Sequence, residues 1–243
     1  MANAILKLGN QLSRTSIQEL AEMCHVSEST VSRFVRLLGC RSYIDLKNQS
    51  RSIQSDNNRF LFHMTKNSMN QLTKQPDMFM NEYCDTIANT LKETAEVLDY
   101  QKIDAFILKL QAAERVFIFA TSTSLMMAEI IQSNLLSFKK IVYVSFNQKQ
   151  QKNHIENLKP TDLVVVLSTY GNYFYDYHEI TRKLTNLGCH TVLLTQNTGL
   201  QEVLLFDDVL FFSKNNHTET GTYSMLLGIE YLVRRYAVLT QKI

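Results

Sequence analysis

The chain has 243 residues, of which 45% are hydrophobic and 20% are charged, a composition typical of a globular protein with one large or two small domains. Two prolines and seven glycines exclude a disordered chain, and the longest aliphatic run, Leu163–Leu167, is far shorter than the ~20 apolar residues of a membrane-spanning helix. The N-terminus has no basic segment followed by an apolar core, so we expect a cytoplasmic protein.

The four cysteines are widely spaced, without a C-x-x-C pair or histidines at metal-ligand spacing. This pattern favours reduced structural thiols over disulfides, a redox centre or a metal site.

Charge is unevenly distributed along the chain. Residues 1–55 contain seven basic and four acidic residues, whereas the rest contains 18 basic and 19 acidic residues. The asymmetry has the sign expected of a nucleic-acid-binding head on a neutral body, although alone it decides nothing.

Two short helices separated by a tight turn are predicted near the N-terminus. Ser16 and Glu19 have the spacing of a capping box that opens the first helix, and Ser27 can cap a second helix that Gly39 ends. His25 occupies the turn position that is often glycine. The residues expected to pack between the helices are apolar and closely spaced: Ala21, Val26, Val31, Phe34, Val35 and Leu38. This pattern predicts a helix-turn-helix.

The second helix of such a motif would lie in the major groove of double-stranded DNA. Arg33 can contact guanine bidentately, and the serines at the helix N-termini can bind phosphate. The candidate DNA-binding residues carry hydroxyl or basic groups: Ser16, Ser27, Ser29, Thr30, Arg33, Arg36 and Lys47, with Arg41 as a further backbone contact. The alternative is that the serines only cap their helices and the basic residues form a solvated surface.

The middle of the chain, residues 53–99, is predicted to be a helical linker. One helix is expected over Asn58–Lys74 and another over Met78–Leu98, with a break at Pro76. Apolar residues recur every three or four positions in the second helix, which therefore needs a partner surface. Packing within the chain is the interpretation we favour, and a dimer contact is the alternative.

From residue 100 onwards, apolar runs alternate with helical patterns. The predicted strands are Arg115–Ala120, Ile141–Val144, Leu163–Leu167, Thr191–Leu194 and Val209–Phe212. The predicted helices between and after them are Leu125–Phe138, Asn172–Leu187 and Glu219–Leu239, with a polar stretch leading to Leu158. Continuous apolar runs indicate strands buried on both faces. The expected fold is mixed: an all-α helix-turn-helix head and an α/β doubly wound parallel five-stranded sheet, whose ligands bind beyond the carboxyl ends of the strands.

Four segments of the head resemble that of the RpiR-type transcriptional regulators: Ser16–Ala21, Val26–Phe34, Leu38–Gly39 and Tyr43–Lys47. The order of zones is also similar, because these regulators join such a head to a flavodoxin-like sugar isomerase (SIS) domain. The resemblance covers essentially the whole chain. It implies a DNA-binding domain over residues 1–52, a linker over 53–99 and a sensing and oligomerisation domain over 100–243. It also implies a dimeric or tetrameric regulator of carbohydrate metabolism genes that senses a phosphosugar, without catalytic residues, cofactor or metal.

The two sensor loops depart from the family pattern. The loop after the first strand resembles G-x-G-x-S in the family, whereas Ala120–Ser124 lacks both glycines and keeps Ser124. The loop after the third strand resembles S-x-S-G-x-T. Here Ser168–Tyr173 keeps the first serine and the glycine, with Tyr170 and Tyr173 in place of the second serine and the threonine. The two phenol rings would occupy space that a sugar phosphate usually fills.

By this resemblance the candidate effector-binding residues are Ser122, Thr123, Ser124, Ser168, Thr169, Tyr170 and Gly171. The alternative is a degenerate SIS domain that only dimerises. A third hypothesis is a sugar phosphate isomerase or lyase, for which the acid–base candidates are His178, His217 and Glu219. None of these three residues belongs to a recognisable catalytic motif. The resemblance also predicts a first helix longer than the residues before Ser16 allow.

Overall fold

The computed structural model describes residues 1–47, 64–184, 187–214 and 219–240. It divides into two compact units, Met1–Asn70 and Gln71–Ile243. No helix in the described ranges has the length and apolarity needed to cross a membrane.

The N-terminal unit is helical. Its elements are α1 (Ala2–Leu8), a 3-10 helix (Gly9–Ser13), α2 (Ile17–Met23), α3 (Glu28–Leu37) and a helical segment over residues 43–47. The residues before Ser16 therefore form a short α-helix continued by a 3-10 helix. The small core of this unit is formed by buried apolar side chains: Leu12, Leu20, Ala21, Val31, Val35, Cys40 and Tyr43.

The predicted helix-turn-helix is confirmed in its caps and its turn. Ser16 Oγ accepts a hydrogen bond from the Glu19 N–H at 3.1 Å, and the Glu19 carboxylate accepts one from the Ser16 N–H, which completes the capping box. Ser27 caps α3 by accepting from the Thr30 N–H. In the turn between the helices, His25 has a φ of 52°, the left-handed conformation for which glycine is the usual residue.

The second unit contains a five-stranded parallel sheet with strand order β2-β1-β3-β4-β5. The strands are β1 (Val116–Ala120), β2 (Val142–Ser145), β3 (Leu163–Leu167), β4 (His190–Thr195) and β5 (Asp208–Phe211). Every residue of β1 and β3 is buried, as the continuous apolar runs predict. The doubly wound α/β fold is therefore confirmed.

Helices cover both faces of this sheet. They are α4 (Lys66–Lys74, which begins before the unit boundary), α5 (Pro76–Val97), α6 (Tyr100–Ala112), α7 (Ser122–Ser137), α8 (Gln148–Glu156), α9 (Asn172–Asp176), α10 (His178–Leu184) and α11 (Tyr223–Thr240). Residues of α6, α7 and α11 form the core on one face. Residues of α9 and α10 form the smaller core on the other face.

Helix α5, in the zone predicted as a linker, packs against α11 of the second unit. Within this contact the buried Thr94 hydroxyl donates to, or accepts from, the Ser224 hydroxyl at 2.8 Å. The predicted start of the preceding helix, Asn58, lies outside the described residues.

Three helical predictions differ from the structure. Residues 148–156 form α8, where only a polar stretch was expected. The sequence shows no apolar face because the buried side chain of this helix is a glutamine, Gln151. The segment predicted as one helix from Asn172 is two helices, because Tyr177 leaves the helical conformation between them. The last helix begins at Tyr223, four residues later than expected, after a turn in which Gly221 has a φ of 61°.

An ion pair joins the amino ends of β1 and β3. Arg115 donates to both carboxylate oxygens of Asp162, at 2.9 and 2.6 Å, and the Asp162 side chain is fully buried. Burial alone would raise the pKa of Asp162, but hydrogen bonds from Arg115 and from the Lys159 N–H, together with their positive charge, lower it below its usual 3.8.

We expect Asp162→Asn to destabilise the protein by about 3 kcal/mol near neutral pH, because the variant leaves the Arg115 guanidinium without its charged partner. A carboxylate with a depressed folded-state pKa stabilises the protein above its unfolded pKa of 3.8, and this stability is lost as the pH falls through the lower, folded value. The stability difference in urea unfolding should therefore be constant from pH 7 to 5 and shrink below about pH 4. A difference that did not depend on pH would contradict this account.

Gly228 of α11 makes a close contact that only glycine allows. A Cβ at this position would lie 1.8 Å from Cδ1 of the buried Phe212. We expect Gly228→Ala to cost about 1–3 kcal/mol because the core would have to move. The matched control is Gly188→Ala, where nothing lies within 4 Å and the stability in urea should hold or rise slightly. Equal stabilities for the two variants would show that Phe212 is free to move.

Candidate functional site

Four of the predicted DNA-binding residues of the head lie on the exposed surface of α3. Ser29, Thr30, Arg33 and Arg36 are all solvent-exposed. The Ser27 hydroxyl lies 2.8 Å from the Ser29 hydroxyl and 2.9 Å from the Thr30 hydroxyl. These three hydroxyls therefore cluster at the N-terminus of α3, whose free N–H groups and positive dipole end favour a phosphate.

The structure also brings Ser16 and Lys47 near each other, through Tyr43. The Tyr43 hydroxyl donates to the Thr15 and Ser16 carbonyl oxygens at 3.2 and 3.3 Å, and the Lys47 ammonium lies 5.9 Å from the centre of the Tyr43 ring. The pKa of Glu19 is lowered, chiefly by its hydrogen bonds with Ser16 and also by the Lys47 charge. A lysine and a capped helix N-terminus thus share one part of the head.

A pocket opens in the second unit at the carboxyl ends of β1 and β3. These neighbouring strands form the point where the strand order reverses, which is where doubly wound folds bind ligands. Nine residues of the two following loops line the pocket: Thr121, Ser122, Thr123, Ser124, Ser168, Thr169, Tyr170, Asn172 and Tyr173. Six of the seven predicted effector residues line it. The seventh, Gly171, caps α9 with a φ of 95°.

The hydroxyl groups of the pocket connect the two loops. Ser124 Oγ lies 3.0 Å from Thr169 Oγ1 and accepts a hydrogen bond from the Thr169 N–H at 3.1 Å. Ser168 Oγ accepts from the Tyr173 N–H at 3.3 Å. All three of these hydroxyl-bearing residues are buried. Their bonds hold the loops in position and leave hydroxyl lone pairs and hydrogens to share with a ligand.

The first turn of α7 forms one wall of the pocket. Thr121 is the N-cap of this helix but makes no capping bond to it through its side chain. Ser122 has a φ of 51°, a left-handed backbone conformation that glycine adopts more readily than serine. Ser122 and Thr123 are exposed. The N–H groups of this turn are suited to an anion.

Sequence reasoning missed three residues near this wall. Thr121 and Asn172 line the pocket, and the Thr121 hydroxyl is hydrogen-bonded to Asp176, a carboxylate in α9. Partial burial raises the pKa of Asp176, and this hydrogen bond opposes the rise. Thr121 follows the last strand residue directly and could have been found from that position, whereas Asp176 carries no local signal.

The two tyrosines of the second loop have different environments. Tyr173 is a core residue, 1% exposed, whose hydroxyl donates to Gln151 Oε1 at 2.8 Å, while Gln151 Nε2 donates to the Ala120 carbonyl oxygen. Tyr170 is only partly buried, but its phenol oxygen is shielded from solvent. Burial raises the pKa of Tyr170 to about 12. Both side chains are therefore neutral at physiological pH.

The pocket is small and carries no charged lining. Its volume is about 20 Å³, room for roughly one water molecule. No acidic, basic or histidine side chain lines it within the described part of the chain. Of the acid–base candidates, Glu219 does not line the pocket, His217 lies outside the described residues, and His178 is described only by its backbone.

Comparison with known proteins gives matches for both units. The helix-turn-helix domain of the rpiR family matches residues 1–55, and the SIS domain matches residues 109–229. An uncharacterised HTH-type transcriptional regulator of Providencia stuartii is 25% identical to this chain, covering all of it and 86% of the relative.

Two solved structures extend the comparison. The NanR protein of Vibrio vulnificus, complexed with ManNAc-6P, has a TM-score of 0.58 and is 16% identical in sequence. The match covers 98% of this chain and 85% of the NanR chain. The sugar isomerase domain of an RpiR transcription factor from Sphaerobacter thermophilus has a TM-score of 0.58 and is 19% identical in sequence. The match covers 65% of this chain and 89% of that domain's chain. These similarities show the fold.

Both family matches, in this order along the chain, agree with the helix-turn-helix and the parallel sheet described above. The chain belongs to the RpiR-type transcriptional regulators, with an N-terminal helix-turn-helix domain and a C-terminal SIS domain.

Proposed function

We propose that this regulator binds an operator in double-stranded DNA as a homo-oligomer and controls genes of carbohydrate metabolism in response to a phosphosugar. The observation that carries the sensing role is the pocket at the carboxyl ends of β1 and β3, where hydroxyl groups and the N-terminus of α7 converge. The ManNAc-6P bound to NanR, whose fold is similar over almost the whole chain, supports this class of effector.

In the head, α3 enters the major groove. Arg33 is exposed on this helix and reads a base, preferably guanine, while Ser29 and Thr30 contact bases or phosphates. Ser16, Ser27, Arg36 and Lys47 contact the phosphate backbone, where they set affinity and register rather than sequence preference. Two heads in one oligomer would occupy half-sites spaced by a whole number of helical turns.

In the sensor, phosphate recognition relies on neutral donors. The side-chain donors are hydroxyls, chiefly those of Ser122, Thr123 and Ser124, and the backbone donors are the N–H groups of the first turn of α7. A helix N-terminus can hold a phosphate without a lysine or arginine, because its dipole and its free N–H groups favour negative charge. Gly171, at the cap of α9, keeps the second loop in its left-handed turn.

A regulator that binds DNA but no effector is the second candidate. The observation that favours it is the pocket volume of about 20 Å³, together with the bonds that Ser124, Ser168 and Thr169 already make within the protein. In this case the SIS domain would only dimerise.

The deciding experiment measures binding of the protein to its own upstream DNA at fixed salt, with and without ManNAc-6P and a panel of hexose and amino-sugar phosphates. Salt is held fixed because phosphate contacts make affinity strongly salt-dependent. Specific binding that one sugar phosphate changes supports sensor and regulator together. Specific binding that no sugar phosphate changes favours the second candidate, and turnover of a sugar phosphate without specific DNA binding would overturn both.

We expect Arg33→Ala and Arg36→Ala to weaken DNA binding in different ways. Loss of a base contact should cost about 1–3 kcal/mol on the operator and little on unrelated DNA, so Arg33→Ala should reduce sequence preference. Loss of a phosphate contact should weaken binding to all sequences and reduce the salt dependence by about one counterion. Electrophoretic mobility shifts over a salt series separate the two effects. An unchanged footprint for Arg33→Ala would remove this residue as a base reader.

We expect Ser124→Ala to blunt the effector response without weakening operator binding in the absence of effector. The variant loses a hydroxyl of the pocket, and it also leaves the buried Thr169 N–H without its acceptor, which should cost about 1–3 kcal/mol of stability. The control is Ser133→Ala, an exposed position on the same helix. Binding of ManNAc-6P by calorimetry, at a temperature where both variants are folded, checks the prediction. A full response in Ser124→Ala would exclude Ser124 from the site.

A further inference from the structure

A buried glutamine directly after β4 joins the second loop of the pocket to the start of α11. The Gln196 N–H donates to the Thr169 carbonyl oxygen at 3.0 Å. In its side chain, Oε1 accepts from the Met225 N–H at 2.9 Å, and Nε2 donates to the Gly221 carbonyl oxygen at 3.3 Å. Gln196 is only 2% exposed. One residue therefore holds the pocket loop through its backbone and satisfies an N-terminal N–H group of α11 through its side chain.

The hydroxyls at the pocket end of these bonds have two possible arrangements. Ser124 Oγ lies 3.0 Å from Thr169 Oγ1, so one of these hydroxyls donates to the other, and Ser124 Oγ also accepts from the Thr169 N–H. Phosphate oxygens are strong acceptors, so a phosphate bound by both hydroxyls takes both of their hydrogens. Charge-assisted bonds to phosphate are stronger than the neutral bond that they replace. A bound phosphosugar therefore changes how Thr169, the partner of Gln196, is held.

The first turn of α11 is bonded in turn to α5. Ser224 precedes Met225 in this turn, and its hydroxyl lies 2.8 Å from the Thr94 hydroxyl of α5. Thr94 also donates to the Thr90 carbonyl oxygen of its own helix at 2.8 Å. Ser224 and Thr94 are each 1% exposed. Because buried hydroxyls are costly to leave unpaired, a shift in the first turn of α11 is passed on to α5.

Helix α5 connects this bonded region to the rest of the chain. Only Gln75 separates α5 from α4, within which the boundary between the two units falls. The Gln71 side chain of α4 donates to the Glu82 carboxylate of α5, so the two helices are also bonded to each other. A change at α5 therefore reaches the segment that leads back along the chain towards the head.

We propose that Gln196 is the positioning residue that couples occupancy of the pocket to α11 and α5. Five residues, bonded to each other or adjacent in the sequence, form what we call the coupling chain: Thr169, Gln196, Met225, Ser224 and Thr94. Hydrogen-bond networks and rigid helices that have two arrangements are the physical carriers of such coupling. The inference rests on the proposed function, since it assumes a phosphosugar in the pocket.

The first test removes the bonds between Gln196 and α11. Gln196→Met loses both side-chain hydrogen bonds but keeps a similar length and the backbone bond to Thr169. The variant should bind ManNAc-6P about as tightly as the unaltered protein in calorimetry, because no residue of the pocket lining is changed. Its operator affinity should no longer respond to the ligand, whereas coupled proteins typically respond by roughly 5–150-fold.

The matched control for this variant is Gln132→Met. Gln132 is a partly buried glutamine whose side-chain amide donates to the Val142 carbonyl oxygen at 2.7 Å, outside the coupling chain. This control loses a comparable bond within the same unit. It should bind ManNAc-6P and respond to it like the unaltered protein.

A second test breaks the bond between α11 and α5. Thr94→Val combined with Ser224→Ala removes both hydroxyls, so that neither is left without its partner. This double variant should also keep its affinity for ManNAc-6P and lose the operator response. The control is Thr86→Val on the exposed surface of α5, where the hydroxyl donates to the Glu82 carbonyl oxygen of the same helix. Its response should be unchanged.

Reciprocity provides a measurement that a loss of stability would not imitate. If the effector changes operator affinity by some factor, the operator changes effector affinity by the same factor. In the unaltered protein the affinity for ManNAc-6P should therefore differ between free and operator-bound protein. In Gln196→Met and in the double variant the two affinities should be equal.

The outcomes separate the coupling from the proposed function. Retained ligand binding with a lost response in both test variants, and normal behaviour of both controls, supports the coupling chain. A retained response in either test variant, or loss of ligand binding in Gln196→Met, overturns the role of Gln196 while the proposed function stands. If Gln196→Met does not fold, the double variant decides. If the unaltered protein binds no sugar phosphate of the panel, the proposed function is overturned and the coupling with it.

Discussion

The pairing of β1 with β3 positions the pocket. The two strands run parallel in a register that extends from Val116 opposite Leu163 to Ala120 opposite Leu167, although β2 lies between them in the sequence. Because the chain leaves these neighbours towards opposite sides of the strand order, the loops that follow them separate and form a crevice. One end of this pair is joined by the ion pair between the partly exposed Arg115 and the buried Asp162, and the other by the bonds between Ser124 and Thr169. The pocket is a consequence of this register.

The two loops of the pocket combine a strained backbone position with two tyrosines in different environments. Ser122 holds a left-handed φ that costs a non-glycine residue roughly 1–2 kcal/mol, and the fold tolerates this cost at the N-terminus of α7, in the lining of the pocket. The two tyrosines of the second loop contribute in different ways. Tyr173 donates its buried hydroxyl hydrogen to Gln151 and so supports the site from the core, whereas Tyr170 is a partly buried residue of the pocket lining.

The head combines a small core with short-range interactions at its helix ends and turn. Its core has few buried side chains, and its helices begin at side-chain caps and are separated by a turn in which His25 adopts a conformation that glycine favours. Caps and turns contribute much of the stability of such a small unit, because the apolar surface that it buries is limited. The outer surface of α3 does not pack against the rest of the unit. Arg33 and Arg36 therefore stay exposed and accessible to DNA.

The sequence by itself determined the features that rest on local patterns. The capping box at Ser16 and the run Leu163–Leu167 were each predicted where they occur, because a cap or a buried strand is encoded by residues a few positions apart. Tertiary structure alone decided the rest. Helix α8 has no apolar periodicity from which it could be predicted, because its buried residue is the polar Gln151. The hydrogen-bond partner of Gln151 is Tyr173, 22 residues away in the sequence. The pocket is lined by residues from two distant parts of the chain, and only the folded sheet brings Ser124 and Thr169 within hydrogen-bonding distance of each other.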